Sequence, residues 1–310
     1  MSFIDKALEK AKHLQQQSPK TGTTEVQASI LGKEPKYPGT PFAVPYQVIP
    51  GEEISYTVTK SIPVDFETLR RNRITFDLEN PTVAEEYRLL RAQIMQRTKA
   101  ENRNTLMVTG PLSGEGKTLS AINLAITISQ EMDTTALLVD ADLRQPSVHQ
   151  YFGLPAGQGL GDHLVEGVPI PDLLIHPEGL SKFVFLPGGK PKTDAAELIG
   201  SSMMANLVQE LKHFYPDRYV IFDLPPLLAF ADCTAFAPLV DGIILVVEEG
   251  HTPRESVQQC LEMLKGLPLL GFVLNKVKAQ NQNFSYHYYQ SYHQKTAPPS
   301  SKGWFRRLFQ

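Results

Sequence analysis

The segment from residue 110 to residue 118 combines residue types that can hold phosphate. It has the sequence GPLSGEGKT. Glycines let backbone N–H groups close around phosphate oxygens, while Lys117 and Thr118 can reach the terminal phosphates and a Mg²⁺ ion. The common pattern G-x-x-x-x-G-K-[ST] would place its first glycine at Pro111, whereas this chain has Gly110 one position earlier. The segment therefore predicts a nucleotide site whose loop departs from the common form.

The elements around this loop have the order that phosphate binding requires. An apolar, β-rich run over residues 105–109 precedes the loop, and a helical pattern over residues 117–130 follows it. The N-terminus of such a helix adds partial positive charge where phosphates bind. We predict that six consecutive residues contact the nucleotide: Gly114, Glu115, Gly116, Lys117, Thr118 and Leu119.

Two other apolar runs end in aspartates. LLVDADLR carries Asp140 and Asp142, and YVIFDLPP carries Asp223. Taken singly, each aspartate could be a helix cap or a turn residue. Ligands of open parallel sheets collect at the carboxyl ends of the strands, however, so the three acids and the loop should converge. Together they predict a magnesium–nucleotide site with four catalytic side chains: Lys117, Asp140, Asp142 and Asp223.

This combination of motifs resembles the bacterial tyrosine kinases (BY-kinases) of capsule and exopolysaccharide synthesis. The loop of that family typically reads S-x-x-P-G-E-G-K-[ST] and lacks the first glycine; here Gly110 and Ser113 replace its serine and proline. The family's D-x-D-x-R motif matches residues 140–144, and its D-x-P-P motif matches residues 223–226. The resemblance covers about residues 80–277. It weakens where Asp194 and Ala195 replace a frequent Asn-Pro pair of the family.

The resemblance implies ATP and Mg²⁺ as cofactors and assigns roles to the acidic residues. Thr118 and Asp140 would ligate the metal ion, and Asp223 would act through a metal-bound water. Asp142 would either assist the metal or accept the proton of the substrate tyrosine. The spacing of Asp140 and Asp142 does not decide which role each of the two residues has.

Apolar strands that alternate with helices predict an α/β fold, a mostly parallel sheet with helices on both faces, similar to P-loop NTPases. The predicted strands cover residues 105–109, 136–140, 183–186, 219–223, 242–248 and 269–274, and the predicted helices cover residues 81–99, 117–130, 199–213 and 252–265. We expect four regions: a short amphipathic helix (1–17), a proline-rich linker that is largely disordered or extended (18–78), a P-loop kinase domain (79–279) and a flexible, tyrosine-rich tail (280–310). The first helix could dock on the domain or bind a partner.

The predicted helix that begins near residue 81 carries an E-x-x-R-x-x-R pattern formed by Glu85, Arg88 and Arg91. Residues three apart lie on one face of a helix, so the three side chains form a stripe. A solvated stripe with internal ion pairs is one interpretation. In the resembled family the same motif mediates ring-like self-assembly, which implies a homo-oligomer interface here.

Four tyrosines lie close together near the C-terminal end of the sequence: Tyr286, Tyr288, Tyr289 and Tyr292. Polar residues are interleaved with them, which predicts exposed phenol groups rather than a buried strand. In the resembled family such a cluster is the phosphorylated substrate; the alternative is a tail that only binds partners. Beyond it, the basic and aromatic residues 302–309 could contact anionic lipid or remain in solvent.

Composition excludes some classes of function. The formal net charge of −3 over 310 residues gives no overall electrostatic reason for nucleic-acid binding, so we expect no such partner. The two cysteines, Cys233 and Cys260, predict no disulfide framework. Without a predicted signal or membrane span, we expect a cytoplasmic protein, peripheral at the inner membrane only through a partner. The resemblance implies a membrane-bound polysaccharide chain-length or export protein as activator and a cognate tyrosine phosphatase.

We therefore predict an ATP- and Mg²⁺-dependent protein-tyrosine autokinase that regulates exopolysaccharide or capsule polymerisation and export. One alternative is a positioning or partition ATPase of the same fold. Those enzymes usually carry a lysine at the position of Leu112. The other alternative is a non-catalytic nucleotide-binding scaffold of the polysaccharide machinery.

Overall fold

The computed structural model describes residues 59–75, 81–180, 182–214 and 217–278. Three predicted features lie outside these ranges: the N-terminal helix, most of the linker, and the tyrosine-rich tail with residues 302–309. Among the described residues, no helix combines the length and apolar character needed to cross a bilayer.

The secondary structure alternates strands with helices along most of the described chain. The strands are β1 (Lys60–Ile62), β2 (Thr105–Thr109), β3 (Thr135–Asp140), β4 (Ile175–Pro177), β5 (Phe183–Leu186), β6 (Arg218–Asp223), β7 (Gly242–Glu248) and β8 (Leu269–Asn275). The α-helices are α1 (Phe66–Arg71), α2 (Pro81–Thr98), α3 (Lys117–Ser129), α4 (Val148–Tyr151), α5 (Leu160–Glu166), α6 (Ile170–Leu173), α7 (Ala195–Ile199), α8 (Ser202–Phe214), α9 (Asp232–Phe236) and α10 (Arg254–Met263).

All described strands belong to one sheet with the order β1-β4-β5-β3-β6-β2-β7-β8. The pairing is parallel except between β4 and β5, which run antiparallel. Strand β6 thus lies between β3 and β2. Because parallel strands end at the same edge of a sheet, the segments that follow β3, β6 and β2 are neighbours.

The sheet separates two hydrophobic cores, and neighbouring residues of one strand contribute to opposite cores. In β2, Leu106 and Val108 face the core that contains Ile122 of α3, whereas Met107 faces the core that contains Leu207 of α8. Side chains alternate in this way because successive residues of a strand point to opposite faces. Helices cover both faces, which confirms the predicted fold class.

The predicted long elements agree with the structure. The six predicted strands correspond to β2, β3, β5, β6, β7 and β8, each within one residue at either end. The four predicted helices correspond to α2, α3, α8 and α10, and the third one also includes the end of α7. The short strands β1 and β4 were not predicted.

Residues 59–75, which the sequence analysis assigned to the linker, form β1 and α1 instead. Strand β1 pairs with β4, and Leu69 of α1 is 0% exposed. Asp65 caps α1 by accepting hydrogen bonds from the N–H groups at positions 67 and 68. The Asn72 side chain donates a 2.8 Å hydrogen bond to the carbonyl of Tyr151 in α4. This segment is therefore tied to the domain by pairing, burial and hydrogen bonding.

We predict that Leu69→Ala lowers the free energy of unfolding by about 2–5 kcal/mol, because it leaves a cavity among buried neighbours such as Ile74 and Phe152. Urea denaturation of the full chain measures this. Leu89→Ala is the matched control, since Leu89 is 45% exposed and should change stability by less than about 0.5 kcal/mol. Equal effects of the two substitutions would contradict the packing of α1 into the core.

Candidate active site

The phosphate loop occupies the turn between the end of β2 and the start of α3. Gly114 and Gly116 have φ values of +81° and +87°, a left-handed conformation that side chains with a Cβ disfavour. A Cβ on Gly116 would overlap the Asn275 amide, and a Cβ on Gly110 would overlap the Val246 carbonyl oxygen. The early glycine at position 110 is thus explained by the close approach of β7.

Lys117 begins α3 and is largely buried within this loop. Its Nζ donates a 2.7 Å hydrogen bond to the carbonyl oxygen of Leu112. Burial lowers the pKa of Lys117, while the nearby carboxylates of Asp223 and Glu115 act in the opposite direction. The amine is therefore held next to acidic groups that favour its charged form. Thr118 and Leu119 follow in the first turn of the helix and are half-buried.

Asp140 and Asp223 end neighbouring strands and lie directly opposite each other in the β3–β6 register. They are 0% and 1% exposed. Asp140 Oδ2 accepts hydrogen bonds from the N–H groups of Ser147 and Val148 at 2.9 and 3.0 Å. Asp140 Oδ1 and both carboxylate oxygens of Asp223 have no hydrogen-bond partner of normal geometry. Three buried acceptor oxygens thus converge without a donor.

Burial raises the pKa of both carboxyl groups, and the charges of neighbouring aspartates add to the effect. The pKa of Asp140 rises to about 7, chiefly by burial, with a contribution from the charge of Asp142. The pKa of Asp223 is raised well above its usual range by burial and by the charge of Asp140. The Thr118 hydroxyl faces Asp223 closely enough to lower this pKa in part, although no hydrogen bond of normal geometry joins them.

These unpartnered oxygens and the adjacent hydroxyl of Thr118 fit a hard divalent cation, which prefers oxygen ligands. Within the described ranges, no three side chains of His, Cys, Asp or Glu form a ready-made metal site. A small donor set suits Mg²⁺, because this ion keeps water and substrate phosphate oxygens among its ligands. Cations of this kind would also offset the like charges that raise both pKa values.

Asp142 differs from the other two aspartates because its side chain is only half-buried. Its Oδ1 accepts a 3.0 Å hydrogen bond from the N–H of Gln145. Burial raises its pKa, and the charge of Lys117 acts in the opposite direction. Asp142 is therefore the aspartate of the three that a molecule arriving from solvent can reach.

Glu115, predicted as a nucleotide contact, has its carboxylate buried behind the loop. Its Oε2 accepts from the N–H of Leu112 at 2.8 Å, and its Oε1 accepts from the Thr252 hydroxyl at 2.6 Å. Burial raises the pKa of this carboxyl. The side chain thus supports the loop from within, so any contact with a nucleotide falls to the backbone of Glu115.

Two residues at the end of β8 hold the loop from the same side. Asn275 donates to the carbonyl oxygen of Glu115 at 2.8 Å, and Lys276 Nζ lies 2.8 Å from both the Gly114 carbonyl and a Glu248 carboxylate oxygen. Both residues fall within the range of the family resemblance, residues 80–277, but the sequence analysis gave them no role. In the sequence, these residues are marked only by their position at the end of an apolar strand. That position does not show which residues their side chains contact.

Arg144 and Asp232 form a second interaction that the sequence did not reveal. The Arg144 guanidinium donates two hydrogen bonds, at 2.9 and 3.0 Å, to the fully buried carboxylate of Asp232. Its central carbon lies 4.5 Å from the centroid of the Phe230 ring. The arginine of the D-x-D-x-R motif is therefore fixed at the edge of the site.

The E-x-x-R-x-x-R residues of α2 do not share one environment. Arg88 pairs with Glu85 at 2.9 Å, and both side chains are more than a third exposed. Arg91, at 17% exposure, donates to the Thr127 carbonyl and pairs with Glu131 at the end of α3. The oligomer interface formed by this stripe remains a prediction. Of its three residues, Arg91 already has partners in its own subunit.

Together, the glycine-rich turn, the buried lysine and the paired aspartates define a phosphate-loop nucleotide-binding protein. Residues 106–298 match the family model described as the CobQ/CobB/MinD/ParA nucleotide binding domain. Tyrosine-protein kinase YwqD of Bacillus subtilis is 32% identical over 223 residues, which is 71% of this chain and 92% of the relative. The succinoglycan biosynthesis transport protein ExoP of Rhizobium meliloti is 33% identical over 212 residues, 67% of this chain and 26% of the relative.

Among solved structures, the kinase domain of the Escherichia coli tyrosine kinase ETK aligns with a TM-score of 0.62 at 28% identity and covers 73% of this chain and 92% of that one. The chain belongs to the CobQ/CobB/MinD/ParA nucleotide-binding family and, within it, to the bacterial tyrosine kinases. The predictions of the family and of a tyrosine kinase are thereby confirmed.

We predict that Asp140→Asn stabilises the chain in metal-free, nucleotide-free buffer at pH 8. The pKa of Asp140 is about 7 in the folded state against an ordinary value of 3.8, so the folded state binds more protons between these values. This carboxyl therefore makes stability fall as the pH rises from about 4 to 7, and asparagine removes that dependence. We expect a gain of roughly 2–4 kcal/mol at pH 8 and little gain at pH 4.

Urea denaturation in EDTA at several pH values tests this expectation. Asp133→Asn is the matched control, because Asp133 is exposed in the turn before β3. If the free energy of unfolding had the same pH dependence in the wild type and in Asp140→Asn, this would contradict a raised pKa of the buried Asp140 carboxyl group.

Proposed function

We propose that the chain is an ATP- and Mg²⁺-dependent autokinase that phosphorylates the tyrosines of its own tail and thereby regulates polymerisation and export of an extracellular polysaccharide. The observation that carries the proposal is the convergence of Lys117, Asp140 and Asp223 at one edge of the sheet. The polysaccharide context is supported by the name of the transport protein that the chain resembles.

Each residue of the site has a role in this proposal. Lys117 and the backbone of residues 114–118 would bind the β- and γ-phosphates. Thr118 and Asp140 would ligate Mg²⁺, and Asp223 would hold one of its water ligands. When bound, the metal ion neutralises charge on the phosphate oxygens during transfer.

Asp142 is the residue that we propose as the proton acceptor. The phenol oxygen of tyrosine attacks the γ-phosphorus, the bond from that phosphorus to the β,γ-bridging oxygen breaks, and ADP departs. The phenol proton then passes to the Asp142 carboxylate. Asp142 suits this role better than Asp140, because Asp140 is fully buried and one of its oxygens already accepts two backbone hydrogen bonds.

The partners follow from the same proposal. Glu85 and Arg88 would contact a neighbouring subunit in a ring-like homo-oligomer, and a membrane-bound chain-length or export protein would activate the kinase at the cytoplasmic face of the membrane. Tyr286, Tyr288, Tyr289 and Tyr292 would be the phosphoacceptors. Each phosphate would add roughly −1.5 to −2 charges, which would repel subunits, and a tyrosine phosphatase would reverse the change.

We predict that Lys117→Met abolishes tyrosine labelling by ATP and Mg²⁺, with a loss of at least about 100-fold, because a positioned cation at the transferred phosphate is removed. The measurement is incorporation of labelled phosphate followed by peptide mapping, with circular dichroism to verify folding. As a control, a chain with all four tail tyrosines replaced by phenylalanine should still bind ATP but incorporate little label.

Three results of the labelling experiment separate the candidate functions. Label on the tail supports the kinase; release of inorganic phosphate without label supports a partition-type ATPase; neither result supports a scaffold. Retained labelling of Lys117→Met would remove this lysine from the site.

We predict that Arg88→Ala shifts a concentration-dependent oligomer toward the monomer, with a roughly tenfold higher dissociation constant, or about 1.4 kcal/mol. Arg88 is chosen because its ion-pair partner, Glu85, belongs to the same stripe of α2. Arg103→Ala is the control, since Arg103 forms a similar exposed pair with Glu101. Sedimentation velocity over a concentration series measures the change; identical profiles for Arg88→Ala and the wild type would argue against the interface.

A further inference from the structure

An exposed aromatic ring lies at the edge of the candidate active site. Phe230 is 38% exposed, although Leu224 and Leu227 in the same loop are almost completely buried. The loop follows Asp223 at the end of β6 and runs beside the phosphate loop, where the N–H of Leu227 donates a 2.8 Å hydrogen bond to the Gly110 carbonyl. The loop therefore buries two of its leucines and leaves its single aromatic side chain accessible.

The position of Phe230 is fixed by its contact with Arg144. Two parallel hydrogen bonds to a buried carboxylate give a guanidinium a defined orientation, and Asp232 accepts two such bonds from Arg144 at 2.9 and 3.0 Å. The guanidinium lies over one face of the ring, 4.5 Å from its centroid, which is an attractive arrangement. The ring is thus held before anything binds to it.

The same arginine connects the ring to the proposed proton acceptor. Arg144 is two residues from Asp142, and the charges of the two side chains interact. Phe230 and the half-buried carboxylate of Asp142 are thus both neighbours of the Arg144 side chain.

The part of the tail that carries the four tyrosines offers aromatic rings but almost no charge for recognition. Residues 280–294 contain four tyrosines and no Asp, Glu, Lys or Arg. Ion pairs through Asp, Glu, Lys or Arg of this segment are therefore excluded, whereas aromatic packing is available to every tyrosine of the cluster. The eight residues from Lys278 to Tyr286 can span up to about 26 Å, and three strand spacings from β8 to β6 amount to about 14 Å. The tail is long enough to cross the sheet edge.

We propose that Phe230, held by Arg144, is the platform on which the ring of an acceptor tyrosine from the tail packs while its hydroxyl group points toward Asp142. This inference rests on the proposed function and adds a specificity-determining residue to it. Phe230 selects an aromatic acceptor, and the cluster of tyrosines lets several residues use the same platform in turn.

The test uses the full chain with its four tail tyrosines replaced by alanine, so that its own tail supplies no tyrosine as an acceptor. A synthetic peptide with the sequence of residues 280–296 is the acceptor, and labelled ATP with Mg²⁺ is the donor. In this background Phe230→Ala should raise the KM for the peptide about two- to tenfold, the value of one aromatic contact. Phe230→Tyr should restore the KM, because it keeps the ring.

Two further readouts separate acceptor recognition from a structural disturbance. The proposal requires the peptide KM of Phe230→Ala to change more than kcat and more than the ATP dissociation constant measured by calorimetry. Met132→Ala, in an exposed turn that precedes β3 and so lies at the opposite edge of the sheet, is the matched control and should change none of the three.

An unchanged peptide KM, or a KM that rises in step with the ATP dissociation constant, would overturn the platform while leaving the kinase assignment intact. If the parent chain phosphorylates neither the peptide nor, with its tyrosines restored, its own tail, then the proposed function fails and the platform fails with it.

Discussion

The chemistry of the candidate site depends on the burial of two aspartates side by side at one edge of the sheet. The β3–β6 register makes Asp140 and Asp223 neighbours, and the hydrophobic cores on both faces exclude water from them. Burying like charges without partners opposes folding, and both pKa values are raised as a result. The surrounding groups offset this cost only in part: two backbone N–H groups serve Asp140, and Lys117 supplies one positive charge. The negative charge that remains uncompensated makes this part of the site suited to a divalent metal cation.

The phosphate loop is held rigidly on the side opposite these aspartates. Thr252, Asn275 and Lys276 come from the ends of β7 and β8 and contact the loop through Glu115 and Gly114. With Gly110 packed under the Val246 carbonyl, the loop has backbone and side-chain support from two neighbouring strands. This support holds the N–H groups of the loop in position before phosphate binds. Such preorganisation is the main source of electrostatic catalysis.

The sequence was sufficient to predict the central strands and the loop with its aspartates. Long apolar runs and the G-E-G-K-T sequence are local patterns that can be read along the chain. A parallel sheet then brings the carboxyl ends of its strands to one edge, independently of the exact positions of the intervening helices. Strands β1 and β4 were missed because three residues are too few to show a period of two. The Thr252–Glu115 and Arg144–Asp232 contacts join residues 137 and 88 positions apart, so no local spacing could indicate them. Arg91 has the expected spacing, yet its partners at the end of α3 became visible only in three dimensions.

The placement of β1 and α1 sets the minimal folding unit of the catalytic domain. A truncation at the start of α2, where the family likeness begins, would remove Leu69 from its buried position and the Asn72 side chain from α4. The N-terminus of α4 supplies an N–H group to Asp140, so the loss would propagate to the edge of the sheet that carries Asp140 and Asp223. An autonomous catalytic fragment of this chain therefore has to begin at or before residue 60.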